Sequence, residues 1–207
     1  MNRLILTAIF TSVFHVTAPS VLAAEVVTVQ MQTSAGNIML ELYPDAAPLT
    51  VANFLNYVGG HYYDQGSFYR VVRMDNQAQN NIRIEVIQGG LNQEPEDLPF
   101  EPIAHETTAD TGIRHTNGVI SMARLQPGTA SSEFFICIND QPELDFGGMR
   151  NPDGQGFAAF GRVVSGMNVV RAIQQMKTDT PPTDALEYTS GQILLEPVRI
   201  EQVTRLD

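Results

Sequence analysis

"SFYRVVRMDNQAQNNIRIEVIQGG", residues 67–90, opens with an apolar run that reads as a sheet strand, passes through a polar stretch, and closes on a second apolar run and Gln88-Gly89-Gly90. Further apolar runs follow at 118–123, 134–138 and 157–164, separated by polar and glycine-rich segments, and each is of strand length. Strands this numerous, joined without regular βαβ alternation, indicate an antiparallel barrel or sandwich with helices packed on it. Within the first run Arg70 stands between Phe68 and Val71-Val72. A cation there must reach water, find a partner, or sit where a fixed positive group is needed.

Outward from this stretch the remaining elements are legible. Val27, Val29 and Met31 alternate with polar residues, Ser34-Ala35-Gly36-Asn37 turns the chain, and Ile38, Leu40 and Leu42 resume the alternation, a hairpin with one buried face. From Pro48 the spacing changes to Val51, Phe54, Leu55 and Val58, an amphipathic helix ended by Gly59-Gly60. Val169, Ala172, Ile173 and Met176 repeat that spacing, and Pro181-Pro182 leads to a closing strand around Val198 and Ile200.

The 207 residues, 43% of them hydrophobic, suffice for one core of ordinary size. Residues 1–24 carry one cation, Arg3, an apolar stretch from Leu4 to Phe14, and a small-residue end at Val21-Leu22-Ala23-Ala24, which is a secretory signal pattern. The apolar stretch is shorter than the roughly 20 residues a membrane span needs, and His15, Thr17 and Pro19 interrupt it. The expected organisation is a signal peptide over 1–24 and one domain over 25–207, exported to the periplasm and free of the membrane after cleavage.

Formal charge is −11, and −12 once Arg3 leaves with the leader. With 12 basic residues against 23 acidic ones, nucleic acid is not an expected partner. The one cysteine, Cys137, lies in the run Phe134-Phe135-Ile136-Cys137-Ile138, so no internal disulfide forms and the thiol reads as packing. No metal site is expected: His61, His105 and His115 have no HExxH or CxxC spacing around them, and Asn151-Pro152-Asp153-Gly154 lacks the alternating acidic ligands of a calcium loop. Ser131-Ser132 lacks the glycine elbow of a nucleophile, and no glycine-rich phosphate cradle with a lysine is present.

What remains is a set of ordered segments: Phe68-Tyr69-Arg70-Val71, Gln88-Gly89-Gly90, Gly118 to Arg124, Ser132 to Ile136, and Phe160 to Val164 followed by Gly166-Met167. In this order they resemble the cyclophilin family of peptidyl-prolyl isomerases, over about Val27 to Val203. The resemblance implies a mainly β fold, a closed eight-stranded antiparallel barrel capped by two α-helices. It implies acceleration of X-Pro isomerisation without a cofactor, with Arg70 and Gln88 as catalytic residues. Phe135 and Leu144 would form the apolar pocket for the proline ring, with Val86, Ala123, Glu133 and Phe157 also lining the groove, and the backbone of Arg124 would bind the peptide. Partners on this reading are proline-containing peptides and unfolded exported proteins, and a monomer is the simplest state.

The chain departs from the family's pattern in one region. The connection from the arginine strand to Gln88 is about ten residues longer than the family's, and Arg73 to Arg83 has the composition of an exposed loop. Glu85 then falls at a pocket phenylalanine, Arg124 at an asparagine, Glu133 at a pocket glutamine, Glu143 at a tryptophan or other aromatic and Phe157 at a histidine or tyrosine. Three glutamates near one groove would favour peptides with lysine or arginine beside proline, or stand as solvated rim charges, and Arg124 could pair with Glu133. The alternative function is a peptide- or partner-binding module with weak or no turnover.

Overall fold

The computed structural model describes residues 25–179 and 187–206. The expected leader, residues 1–24, and Pro181-Pro182 lie outside these. Eight strands, β1 (Val27–Thr33), β2 (Gly36–Leu42), β3 (Ser67–Val72), β4 (Val86–Gly90), β5 (Val119–Met122), β6 (Phe134–Cys137), β7 (Ala158–Ser165) and β8 (Ile193–Leu206), close in the order β1-β2-β7-β5-β6-β4-β3-β8. All neighbours are antiparallel. Closure leaves no free sheet edge, and the long β8 achieves it by pairing with both β1 and β3.

Three α-helices accompany the barrel: α1 (Pro48–Gly59), the single turn α2 (Thr108–Thr111) and α3 (Met167–Gln174). The first and last are the two amphipathic helices legible in the sequence. Helix α1 has Pro48 in its first turn and no capping side chain of its own. A distant residue does that work: the Glu106 carboxylate accepts from the N–H groups of Leu49 (3.1 Å) and Thr50 (2.8 Å), satisfying donors the helix leaves open. On α3 the buried side is Val170, Ile173 and Gln174, and Ala172 faces solvent instead of the core.

The barrel interior is one apolar cluster, with Phe54 of α1 packed among Tyr63, Phe134 and Phe160 at ring separations of 5.0 to 5.7 Å. A second, smaller cluster of Val72, Ile84, Val86, Phe135, Cys137, Leu144 and Phe157 forms on the other face of the wall. Strand alternation produces both from the same residues' neighbours: Ile87, Phe134 and Ile136 belong to the inner cluster, Val86, Phe135 and Cys137 to the outer one.

Strand β3 breaks this alternation at one point. Phe68 pairs with Gly89 and Arg70 with Gln88, so Tyr69 is an extra residue with no counterpart on β4. This bulge places Phe68 and Val71 in the inner cluster and Val72 in the outer one. Arg70, which strict alternation from Phe68 would aim into the barrel, is turned instead to the outer face, where it meets Gln88.

Candidate active site

Arg70 is 8% exposed. Its Nη1 donates to Gln88 Oε1 at 2.8 Å, while Nε and Nη2 both donate to Gln192 Oε1 at 2.9 and 2.6 Å. Two neutral amides thus fix the plane of the guanidinium from two sides. Burial holds its pKa below the usual arginine value, with Tyr188 acting in the opposite sense, and a guanidinium so placed stays charged. The Tyr188 ring lies with its centroid 4.9 Å from the Arg70 Cζ.

Gln88 is itself held. Its Nε2 donates to the Tyr69 hydroxyl at 2.8 Å, and that hydroxyl donates to Glu133 Oε2 at 2.6 Å. Burial, and then the Glu133 charge, push the Tyr69 phenol well up, so it remains a proton donor. A directed chain results, from the Glu133 carboxylate through Tyr69 to Gln88, which turns the amide oxygen toward Arg70. The other Glu133 oxygen accepts from the Asn92 N–H at 2.8 Å and the Ser132 hydroxyl at 3.2 Å. A side chain at Gly90 would collide with this carboxylate, which explains the glycine there. Glu133, expected to line the groove, therefore works behind Gln88, with both oxygens spent inside the protein.

Beside Arg70 the outer apolar cluster brings together Phe135, Leu144, Val86 and Phe157, with Ala123 packed against it. The Phe135 ring stacks on His115 (5.9 Å, 18°) and meets Phe157 edge-on (5.2 Å, 89°). Cys137 lies under the same patch, fully buried, and burial pushes its thiol well up, as a packing role requires.

Two expectations about charged groups, those on Glu85 and on the partner of Arg124, are corrected here. Glu85 turns away from the patch, accepting from Asn139 Nδ2 at 2.9 Å, and Ile84 fills the apolar position because strand alternation carries Ile84 and Val86 to the same face. Glu143 accepts from the Met149 N–H at 2.9 Å. Arg124 pairs with Asp153, not Glu133, through two bonds of 2.7 and 3.0 Å, and its guanidinium lies 5.3 Å from the Phe157 ring centroid. That pair holds the Asp153 carboxyl down at about 2. Among the described residues the Arg124 main-chain N–H and carbonyl have no hydrogen-bond partner.

The segment 73–83 is more organised than an exposed loop. Gln77 is fully buried and its side-chain amide bonds Arg73 O, Ile84 O and Ile84 N at 2.7, 2.7 and 3.2 Å. Asn76 Nδ2 reaches Gly191 O at 3.0 Å, Gln79 Nε2 reaches Tyr188 O at 3.0 Å, and Gln192 Nε2 donates to Asn76 O at 3.3 Å. The loop thus clamps residues 188–192, and with them Gln192 and Tyr188, against Arg70. Neither residue was legible as a site residue, since their placement depends on this long-range interlock; the one available signal was a polar Gln192 at the threshold of the closing strand.

His115 supports the patch from below, with Nδ1 2.8 Å from Asp145 Oδ1 and Nε2 2.9 Å from Ser121 Oγ. Burial, the larger effect, pushes its imidazole pKa down, and Asp145 pulls it partly back. In the unfolded chain the ring takes up a proton near pH 6.5. The unfolded state therefore binds more protons as pH falls below that value, and stability present above it is lost as pH drops toward the depressed folded pKa. Asp145, held below the usual carboxylate range, contributes in the same direction but only at lower pH. Thermal melts from pH 7.5 to 5 are expected to show a falling Tm, with a shallower slope in His115→Asn; an unchanged slope would remove His115 as the cause.

The family model described as cyclophilin type peptidyl-prolyl cis-trans isomerase/CLD matches residues 28–204. The chain is 40% identical over 154 residues to a peptidyl-prolyl cis-trans isomerase of Streptomyces antibioticus, covering 73% of this chain and 85% of the relative. It is 36% identical over 182 residues to peptidyl-prolyl cis-trans isomerase A of Dickeya dadantii, covering 86% and 88%. A crystal structure of a Cryptosporidium parvum cyclophilin type isomerase superposes with a TM-score of 0.66 at 18% identity, covering 88% of this chain and 99% of that one, a likeness of fold. With a closed barrel and a family match that reaches every strand, the chain belongs to the cyclophilin-type peptidyl-prolyl cis-trans isomerase family.

Proposed function

We propose that this chain accelerates cis–trans isomerisation of X-Pro bonds, with Arg70 as the group that stabilises the twisted amide. Amide resonance sets a barrier of about 18–20 kcal/mol. A hydrogen bond to the prolyl nitrogen is strong only when twisting has freed its lone pair, so a cation aimed there favours the transition state over either planar form. The observation that carries this reading is a buried guanidinium held by two amide oxygens at the edge of an apolar patch. Gln88 would orient Arg70 and meet the substrate carbonyl side. Phe135, Leu144, Val86, Phe157 and Ala123 would seat the proline ring, and the Arg124 backbone would bind the peptide strand. Proline-peptide isomerisation by the purified chain is the test; a rate equal to the uncatalysed one sinks the reading.

The Tyr188 ring over Arg70 favours a second reading, a peptide-binding module with weak turnover. Peptide binding without acceleration, with acceleration restored in Tyr188→Ala, would establish it. The added loop at 73–83 would then serve to hold that cover in place.

The leader pattern supports a signal peptide over 1–24, a mature domain over 25–207, and a periplasmic role in folding exported proteins as a monomer. The mature chain is expected to begin at Ala24 or Glu25. Terminal sequencing of protein recovered from cells checks this, and an intact Met1 on soluble cytoplasmic protein would refute it.

A further inference from the structure

Arg150 is 7% exposed, slightly more deeply buried than Arg70, and both Cζ atoms lie beside one ring, at 4.9 Å (Arg70) and 5.5 Å (Arg150) from the Tyr188 centroid. Removing a cation from water costs several kcal/mol unless a counter-charge meets it. Elsewhere this chain supplies one: the equally sheltered Arg124 side chain is paired with Asp153. Among the described residues no carboxylate forms an ion pair with Arg70 or Arg150. The partners of Arg150 are neutral: the Ile82 carbonyl at 2.5 Å, Gln77 Oε1 at 3.4 Å and the Tyr188 hydroxyl at 3.3 Å. Its Nε is buried and has no partner among the described residues, a donor left free for a further hydrogen bond. In a chain with a formal charge of −11, two guanidiniums thus lie together at the candidate active site with no ion-pairing carboxylate among the described residues.

The geometry points to an acidic-residue subsite formed by Arg150 and the Tyr188 hydroxyl next to Arg70, so that preferred substrates carry a carboxylate side chain within a residue or two of the proline. This rests on the isomerase reading above and adds the substrate class. Tyr188 is 53% exposed, so the ring shared by the two guanidiniums is the part of this arrangement that an incoming side chain would meet first and displace. A carboxylate that displaces the Tyr188 hydroxyl from Nη2 (3.3 Å) and reaches the unpartnered, buried Nε beside it would replace a long phenol contact with two charge-assisted bonds. The existing surroundings already favour negative charge at this spot: burial pushes the Tyr188 phenol up, yet the two guanidiniums outweigh it and hold it below its ordinary value. The glutamates that would instead have selected basic peptides are engaged elsewhere, Glu133 by Tyr69, Glu143 by the Met149 N–H and Glu85 by Asn139.

The test compares proline peptides that differ only in Glu or Gln, placed before proline in one pair and after it in a second. Expected is a Glu-to-Gln ratio of kcat/KM of about tenfold in at least one pair, shrinking as salt rises. In Arg150→Gln the ratio should fall to about one, and Arg150→Lys should keep part of it, because charge remains while the planar fork is lost. Using the ratio within each variant cancels any general loss of activity or stability. A ratio near one in both pairs for the unsubstituted protein overturns the subsite, as does a ratio that survives Arg150→Gln. Asp184 lies outside the described residues; a preference that emerges only in Asp184→Asn would also overturn it, since an internal carboxylate would then hold the pair. If no peptide turns over, the isomerase reading fails separately, and calorimetric binding of the same Glu and Gln peptides decides the subsite.

Discussion

Arg70→Ala is expected to lower kcat/KM for a proline peptide by about 100-fold or more, the scale of losing one preorganised donor at ~2.7 kcal/mol. The geometry explains why so much rests on one side chain. Of its five N–H groups, one on Nη1 goes to Gln88, and Nε with one on Nη2 goes to Gln192. One hydrogen on each of Nη1 and Nη2 remains beyond these bonds, and a substrate reaching them would displace the Tyr188 side chain, which also interacts with the guanidinium, while the plane stays fixed. Arg70→Lys should recover little, because an ammonium on a flexible stem cannot bond both amide oxygens and a substrate in one fixed plane. Equal isomerisation rates for Arg70→Ala and the unsubstituted protein, at equal thermal stability, would take the catalytic role from this residue.

The reason Arg70 stands in an apolar run was only half legible in the sequence. Alternation placed the strands, the hairpin turn and the two longer helices, since those follow from local period and punctuation. The bulge at Tyr69 left no such mark: it arises from a register shift against both β4 and β8, which no single segment encodes. Family motifs pointed to Arg70, Gln88, Phe135 and Leu144 as candidates, but the residues that hold Arg70 and Gln88 come from unrelated stretches. Gln192 is 122 positions from Arg70, and Glu133 acts on Gln88 through Tyr69. Loop 73–83 misled for the same reason. Its composition is that of a solvated loop, and only the fold reveals Gln77 buried against Ile84 and Asn76 tied to Gly191. Counting positions back from Gln88 put Glu85 in the pocket, whereas β alternation gives that face to Ile84 and Val86.

Phe135→Ala is expected to act on the substrate seat and on the fold together. The ring is buried, stacks on His115 and abuts Phe157, so its removal opens a cavity within a patch of only a few side chains. Phenylalanine truncations of this kind cost about 3–5 kcal/mol of stability. The outer cluster has less surrounding protein to hold it than the barrel interior, so the loss should lie at the lower end of that range. Catalytically the effect should differ from that of Arg70→Ala. A proline ring that loses an apolar wall binds less well in its planar and twisted forms alike, so KM should rise with kcat little changed. Phe135→Leu separates the two consequences: it keeps most of the apolar volume and the fold, while losing the flat face that His115 supports. A raised KM in Phe135→Leu at nearly unchanged Tm would assign the ring to substrate seating. A drop in kcat at constant KM would instead place Phe135 with Arg70 in stabilising the twisted amide, and the apolar patch would then be part of the catalytic machinery.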